Sequence, residues 1–104
     1  MATTKQLLLT AAGTQNIEPD LVGSRVEVLA ICFGISAATA LPDFRSHTSG
    51  TVHAGPFDNA APIAMGSPDH SEPLFKTDVD KGLDMVTAGA GNVRGFIVYR
   101  VVPK

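Results

Sequence analysis

The chain has 104 residues, of which 44% are hydrophobic and 17% charged, and its formal net charge is −2. A chain of this length forms one domain and buries roughly two thirds of its unfolded surface. Its basic residues form no stripe, so it lacks the electrostatic signature of a nucleic-acid-binding protein. The low share of charge indicates that another subunit covers part of the surface.

The sequence has no segment typical of export or of a membrane span. Three leucines after Gln6 are too few for the apolar core of a signal peptide. The uncharged run from Val28 to Leu41 is shorter than the roughly 20 residues that a membrane helix needs. We therefore expect a soluble, unexported protein with no membrane partner. The single cysteine, Cys32, lies in an apolar run, which predicts a buried, unreactive thiol.

The first half of the chain predicts two strands. Residues 1–6 are expected to form an N-terminal arm, and residues 7–104 the domain, which begins with a strand over Leu7 to Thr10. Residues 17–24 are rich in turn formers. Arg25 to Phe33 alternates at its start and is then apolar on both faces, which predicts a second strand that enters a covered interior.

Two features follow that second strand. Gly34 predicts a bend or bulge. A helix over residues 28–41 is the competing interpretation, because this segment is rich in alanine, but its β-branched residues favour a strand.

Residues 41–73 hold most of the prolines and all three histidines. Because a structureless loop of this length is unusual in a compact domain, we expect short strands within it. A further short strand or extended connection is expected over Leu74 to Thr77. The expected pieces are Asp43 to Ser46, Val52 to Ala54, and Pro62 to Met65.

The C-terminus carries the strongest strand signal. Val93 to Val102 is dense in β-branched and aromatic residues, and Leu83 to Thr87 is a shorter apolar run. The glycine-containing connection between the two runs predicts an antiparallel hairpin. Altogether the pattern predicts an all-β fold, a single-domain antiparallel β-sandwich or jelly roll of about seven or eight short strands.

The last strand has two faces, and the sequence does not choose between them. Its core face carries either Phe96 and Val98 or Ile97 and Tyr99, because a slip of one residue exchanges the faces. Arg94 and Arg100 lie on the same face as Phe96. That mixed face is either half-exposed or packed on a neighbouring subunit with the arginines at its rim.

Several polar groups invite a chemical interpretation. A metal site would draw on His47, His53, Asp69, His70 and Glu72, but their spacing matches no zinc pattern, and exposed loop histidines are expected instead.

An acidic segment near the C-terminus resembles the beginning of a calcium loop. Asp78, Asp80 and Asp84 are its acidic residues, but Gly82 and Gly89 fall where the loop does not allow them. A turn over Asp80-Lys-Gly82 is the preferred interpretation. No nucleophile motif is present. We therefore expect no catalytic, cofactor-binding or metal-binding residues and no enzyme activity.

The second half of the chain resembles small virion proteins of tailed bacteriophages, over Thr51 to Val102. The similar phrases are Glu72-Pro-Leu-Phe-Lys-Thr77 and Gly82-Leu-Asp-Met-Val-Thr-Ala-Gly-Ala-Gly-Asn-Val-Arg-Gly-Phe-Ile-Val-Tyr99. Gly55-Pro56 followed by Pro62-Ile-Ala-Met65 resembles the strand and turn that precede them. Asp84 departs from the family, which more often has asparagine there, and Asp78-Val-Asp80 is more acidic than usual.

The resemblance implies a capsid decoration (cement) protein. Such a protein is a jelly-roll homotrimer that binds the major capsid protein lattice, with its N-terminal arm ordering against the capsid. It is made in the host cytoplasm and is located on the virion surface. The alternative is a carbohydrate- or host-receptor-binding module of a phage head or tail, since a fold does not fix a function.

Overall fold

Nine strands and no α-helix make up the part of the chain that the computed structural model describes, residues 2–36, 40–57, 62–66, 72–89 and 91–103. These residues include no helix long and apolar enough to cross a membrane. The strands are β1 Thr3–Leu9, β2 Gly13–Glu18, β3 Ser24–Ile35, β4 Pro42–Ser46, β5 Val52–Ala54, β6 Ile63–Gly66, β7 Phe75–Lys76, β8 Leu83–Thr87 and β9 Val93–Pro103.

The strands form two antiparallel sheets that pack face to face. The first sheet has the order β1-β9-β3-β6, with β7 also pairing β3, and the second has the order β2-β8-β4-β5. The chain therefore pairs like a long hairpin that has been rolled up: β1 with β9, β2 with β8, β3 with β6, and β4 with β5. This is a jelly-roll β-sandwich, so the predicted all-β fold is confirmed.

The predicted hairpin between β8 and β9 is wrong. β8 pairs with β2 and β4 in the second sheet, whereas β9 pairs with β1 and β3 in the first. The connection over residues 88–92 therefore passes from one sheet to the other. Pairing with β3 along the whole length of β9 satisfies far more backbone hydrogen bonds than a local pairing with the short β8 would.

A bulge in β3 decides which residues face the core. Val26 and Val28 are buried, but the pairing with β9 shifts between Val28 and Ala30, and the inward positions beyond it are Ile31 and Phe33. The bulge therefore lies at Leu29, not at Gly34, which pairs regularly with β9. It explains why this run is apolar on both faces, and it confirms a strand instead of the competing helix.

The core face of β9 is the one with Ile97 and Tyr99, which are 0% and 1% exposed, whereas Phe96 is 45% exposed. This face of β9 lies in the core, to which both sheets contribute buried side chains, among them Leu7, Ile17, Phe33, Phe44 and Met85.

The Tyr99 hydroxyl lies within this core and joins the two sheets. It donates a 2.7 Å hydrogen bond to Glu18 on β2. Burial and the neighbouring carboxylate raise the pKa of Tyr99 well above its usual range.

The short strands of the middle segment are confirmed with small changes in their bounds. The expected pieces correspond to β4, β5, β6 and β7. The turn that leads into β8 lies at Val79 and Asp80, where Asp80 has a φ of 68°, slightly earlier than the expected Asp80-Lys-Gly82.

The N-terminal region differs from the expectation. Thr3 to Gln6, expected in the arm, belong to β1 and pair with Phe96 to Tyr99. β2 was not predicted, because it is polar and buries little apart from Ile17. At the edge of the second sheet a strand needs few apolar residues.

Candidate contact surface

The outer face of the first sheet carries a strip of apolar side chains. Directly paired residues on neighbouring strands point to the same side of a sheet, so Phe96, Cys32 on β3 and Ala64 on β6 lie in one row. Phe96 is 45% exposed and Leu8 is 43% exposed. We call this surface the apolar strip; its members are Leu8, Ala30, Cys32, Ala64 and Phe96, with the polar Gln6 next to Phe96.

Charged residues border the strip at both ends. At one end Glu27 accepts a 2.7 Å hydrogen bond from Arg100 and lies 3.5 Å from Lys76 Nζ. The hydrogen bond from Arg100 lowers the pKa of Glu27, so this carboxylate stays ionised. At the other end Arg94 is exposed and has no ion pair within the described residues. An apolar centre with charges at its rim is typical of a protein–protein contact surface.

Cys32 lies on this strip and not in the core, which corrects the expected buried thiol. It is partly exposed and pairs with Phe96. An uninterrupted strand would place Cys32 on the same side as Val26 and Val28. The bulge at Leu29 reverses the alternation and turns the thiol outward.

The outer face of the second sheet carries paired polar groups beside Val52 and Val86. Arg45 on β4 forms two hydrogen bonds to Asp43, of 2.8 and 2.6 Å, which raise the pKa of Arg45. Asp84 pairs across the strands with Arg45 and accepts a 2.8 Å hydrogen bond from Asn16. These polar groups satisfy one another, so they leave few hydrogen-bonding atoms free for a partner.

The two described histidines lie in separate environments. His47 Nδ1 is 2.9 Å from both carboxylate oxygens of Asp84. His53 stacks on Phe75, with ring centroids 5.8 Å apart, and its Nε2 is 2.8 Å from Ser46 Oγ. Both rings are partly buried, which corrects the expectation of exposed loop histidines.

The metal interpretation finds no geometric support in the described residues. They contain no cluster of three or more side chains able to hold a metal ion. Asp69 and His70 lie outside the described residues, and Glu72 is exposed.

Ser46, His53 and Asp78 meet in space, which the sequence did not predict. In a catalytic triad the serine and the carboxylate contact different ring nitrogens of the histidine. Here Ser46 Oγ and Asp78 Oδ1 approach the same nitrogen, at 2.8 and 3.9 Å. Ser46 is also 0% exposed and accepts a 2.9 Å hydrogen bond from the Asp78 amide. The cluster therefore anchors a loop.

The acidic residues of the calcium-like segment hold different parts of the structure together. Asp78 accepts a 3.0 Å hydrogen bond from Ser49, and Asp80 accepts one of 2.7 Å from the Gly23 amide. Asp84 contacts His47 on the second sheet. Because the three carboxylates have separate partners, they do not form a shared cation site.

The comparisons with known proteins find no matching family model, curated protein or solved structure. The resemblance to phage virion proteins therefore stays a prediction. Two residues of the phrases on which it rests have structural roles in this fold. Thr77 accepts a hydrogen bond from Val26 and donates one to Lys81 O. Gly82 lies against the backbone of Glu18 and Pro19, where a side chain would collide.

Proposed function

We propose that this chain is a structural virion protein of a tailed bacteriophage, a capsid decoration (cement) protein. In this proposal it forms a homotrimer, binds the major capsid protein lattice and is located on the capsid surface after synthesis in the host cytoplasm. It has no catalytic role, cofactor or nucleic-acid partner. The observation that supports this function best is the exposed apolar strip on a jelly-roll sheet, bordered by charged residues.

The strip suits a protein partner better than water. Phe96 lies beside the small residues Cys32 and Ala64, and Leu8 exposes a second large apolar surface diagonally across from Phe96 on β1. Covering a large apolar side chain contributes about 1.5 to 3 kcal/mol when its burial is complete. In this proposal the strip packs on a neighbouring protomer, and the three protomers of the trimer then add their modest capsid contacts through a high effective concentration.

The proposal is tested with purified protein and with capsid shells of the phage that encodes it. Native mass spectrometry is expected to show a trimer, and co-sedimentation with shells is expected to saturate at a fixed ratio of trimer to capsid protein. A protein that is monomeric, and that stays in the supernatant when the capsid shells sediment, would contradict the proposal.

A carbohydrate-binding role has weaker support. Tyr99, the single tyrosine, is 1% exposed and unavailable to a sugar, and the chain has no tryptophan. Phe96 is the exposed aromatic residue that could stack on a sugar ring. Reproducible hits on a glycan array that disappear in a Phe96→Ser variant would favour this role over capsid binding.

A further inference from the structure

A cleft of about 400 Å³ opens where β3 ends and β9 begins. Gly34 on β3 pairs directly with Arg94 on β9, so β3 places no side chain beside Arg94 at this position. A Cβ atom at Gly34 would meet nothing within 4 Å. The described residues that line the cleft are Gly34, Ile35, Ser36, Pro62, Asn92 and Arg94.

Ser36 and Asn92 fix the shape of this cleft. The Ser36 amide donates a 2.9 Å hydrogen bond to the Asn92 carbonyl oxygen, and the Asn92 amide donates one of 2.7 Å to Ser36 Oγ. Ser36 Oγ is an acceptor in this bond, so its own proton remains available to a ligand.

The lining presents hydrogen-bond donors and, among its described residues, no carboxylate. Arg94 differs from the other three arginines of the chain, because each of those has a hydrogen-bond partner. Arg25 donates to the Thr77 carbonyl oxygen, Arg45 binds Asp43, and Arg100 binds Glu27. Arg94 is exposed with no hydrogen-bond or ion-pair partner in the described structure. Its five N–H donors are therefore free for an anion.

We propose that this cleft binds a carboxylate, supplied by a glutamate or aspartate side chain of a partner protein. The planar guanidinium group of Arg94 matches a carboxylate with two parallel hydrogen bonds, and the Ser36 hydroxyl supplies a third donor. Pro62 gives the wall an apolar surface for the methylene groups of an acidic side chain. None of the described lining residues is aromatic, so a sugar ring has no stacking platform here. The site does not depend on the proposed virion role.

The test is an NMR titration of the full chain with two capped tripeptides that carry glutamate or glutamine at the centre. Saturable shifts are expected at Ser36, Asn92 and Arg94 with the glutamate peptide, with a dissociation constant on the order of 1 to 10 mM for so small a ligand. The glutamine peptide is expected to give none. Glucuronate serves as the acidic-sugar probe and inorganic phosphate as the general anion.

Two variants remove the site in different ways. Arg94→Gln removes the guanidinium group, and Gly34→Val fills the cleft while Arg94 remains. Each is expected to weaken binding of the glutamate peptide at least about tenfold. Arg100→Gln is the matched control, from the same face of the same strand, and is expected to bind like the natural chain.

No binding by the natural chain would overturn the proposal, and so would any of three further results. The first is equal binding by the natural chain and Arg94→Gln. The second is full binding by Gly34→Val, which would show that the charge acts without the cleft. The third is tighter binding of glucuronate or phosphate than of the glutamate peptide, which would assign the cleft to a different ligand.

Discussion

Gly95 is the residue at which β9 passes closest to β3. A Cβ atom there would collide with the carbonyl oxygen of Cys32 and with Phe33. The backbone of a central strand cannot move away without breaking its ladder, so Gly95→Val is expected to destabilise the fold at or above the upper end of the range of about 1 to 3 kcal/mol. Urea unfolding followed by circular dichroism measures this change.

Gly34→Val is the matched control for that substitution. Gly34 lies in the same pair of strands, but its Cβ position is open. We expect its free energy of unfolding to stay within about 0.5 kcal/mol of the natural chain. Equal losses of stability in the two variants would show that the close approach at Gly95 is not what excludes a side chain there.

The position of Cys32 could not be predicted from the sequence. The alternation at Val26 and Val28 predicts a strand, but neither Leu29 nor its neighbours are of a residue type that indicates a bulge. A bulge depends on which strand pairs with β3 and in what register, and those are long-range properties. For this reason Cys32 was expected inside and lies outside.

At the scale of elements, three carboxylates accept hydrogen bonds that connect loops and strands to neighbouring segments. Asp20 accepts a 2.7 Å hydrogen bond from the Gly82 amide, which lowers its pKa. A hydrogen bond from Thr51 lowers the pKa of Asp78, and one from Arg100 lowers that of Glu27. Each group therefore binds its proton less readily in the folded chain than in the unfolded chain.

The sign of the pH dependence follows from these lowered pKa values. Their contribution to stability is complete above the unfolded-state values near pH 4 and is lost as the pH falls through the folded-state values. Urea unfolding is expected to show lower stability at pH 3 than at pH 6, and Asp20→Asn is expected to reduce this difference. A stability that is constant or higher at pH 3 would contradict the assigned contacts.

β1 gives a second prediction for an element. Thr3 to Leu9 pair with β9 along their length, although the first four of these residues were expected in a free arm. Hydrogen exchange is expected to protect amides of β1 that donate to β9, well above the rates of an unstructured chain. If the amides of Thr3 to Gln6 exchange at the rates of an unstructured chain, these residues form a free arm and the prediction is wrong.

The elements were predicted best where the sequence alternates or is dense in β-branched residues. β3 and β9 were recognised because their own side chains specify a strand, whereas β5 was expected only because a long structureless loop is unusual. β2 was missed because its partner β8 supplies the apolar side chains of that part of the sheet. The predicted hairpin was wrong because β9 pairs with β1 and β3 in the first sheet and β8 pairs with β2 and β4 in the second, which are long-range pairings.

At the scale of the whole molecule, the two sheets differ in their outer faces. The second sheet presents groups such as Asp43 and Arg45 that satisfy one another, whereas the first presents the apolar strip. A low share of charge predicted some covered surface, but it did not say where. The location of this covered surface could not be predicted without the register of β9, because the exposure of Phe96 and the burial of Ile97 depend on that register.

The central claim is that a neighbouring protomer of the trimer covers the apolar strip. Sedimentation equilibrium of the natural chain, Phe96→Ser and Val86→Ser tests it. Val86 lies on the outer face of the second sheet and is the matched control. The natural chain and Val86→Ser are expected to form trimers. Phe96→Ser is expected to be folded and to dissociate at concentrations at least about tenfold higher, because it loses about 1 kcal/mol or more of apolar burial per protomer. A natural chain that stays monomeric, or a Phe96→Ser variant that assembles equally well, would contradict the claim.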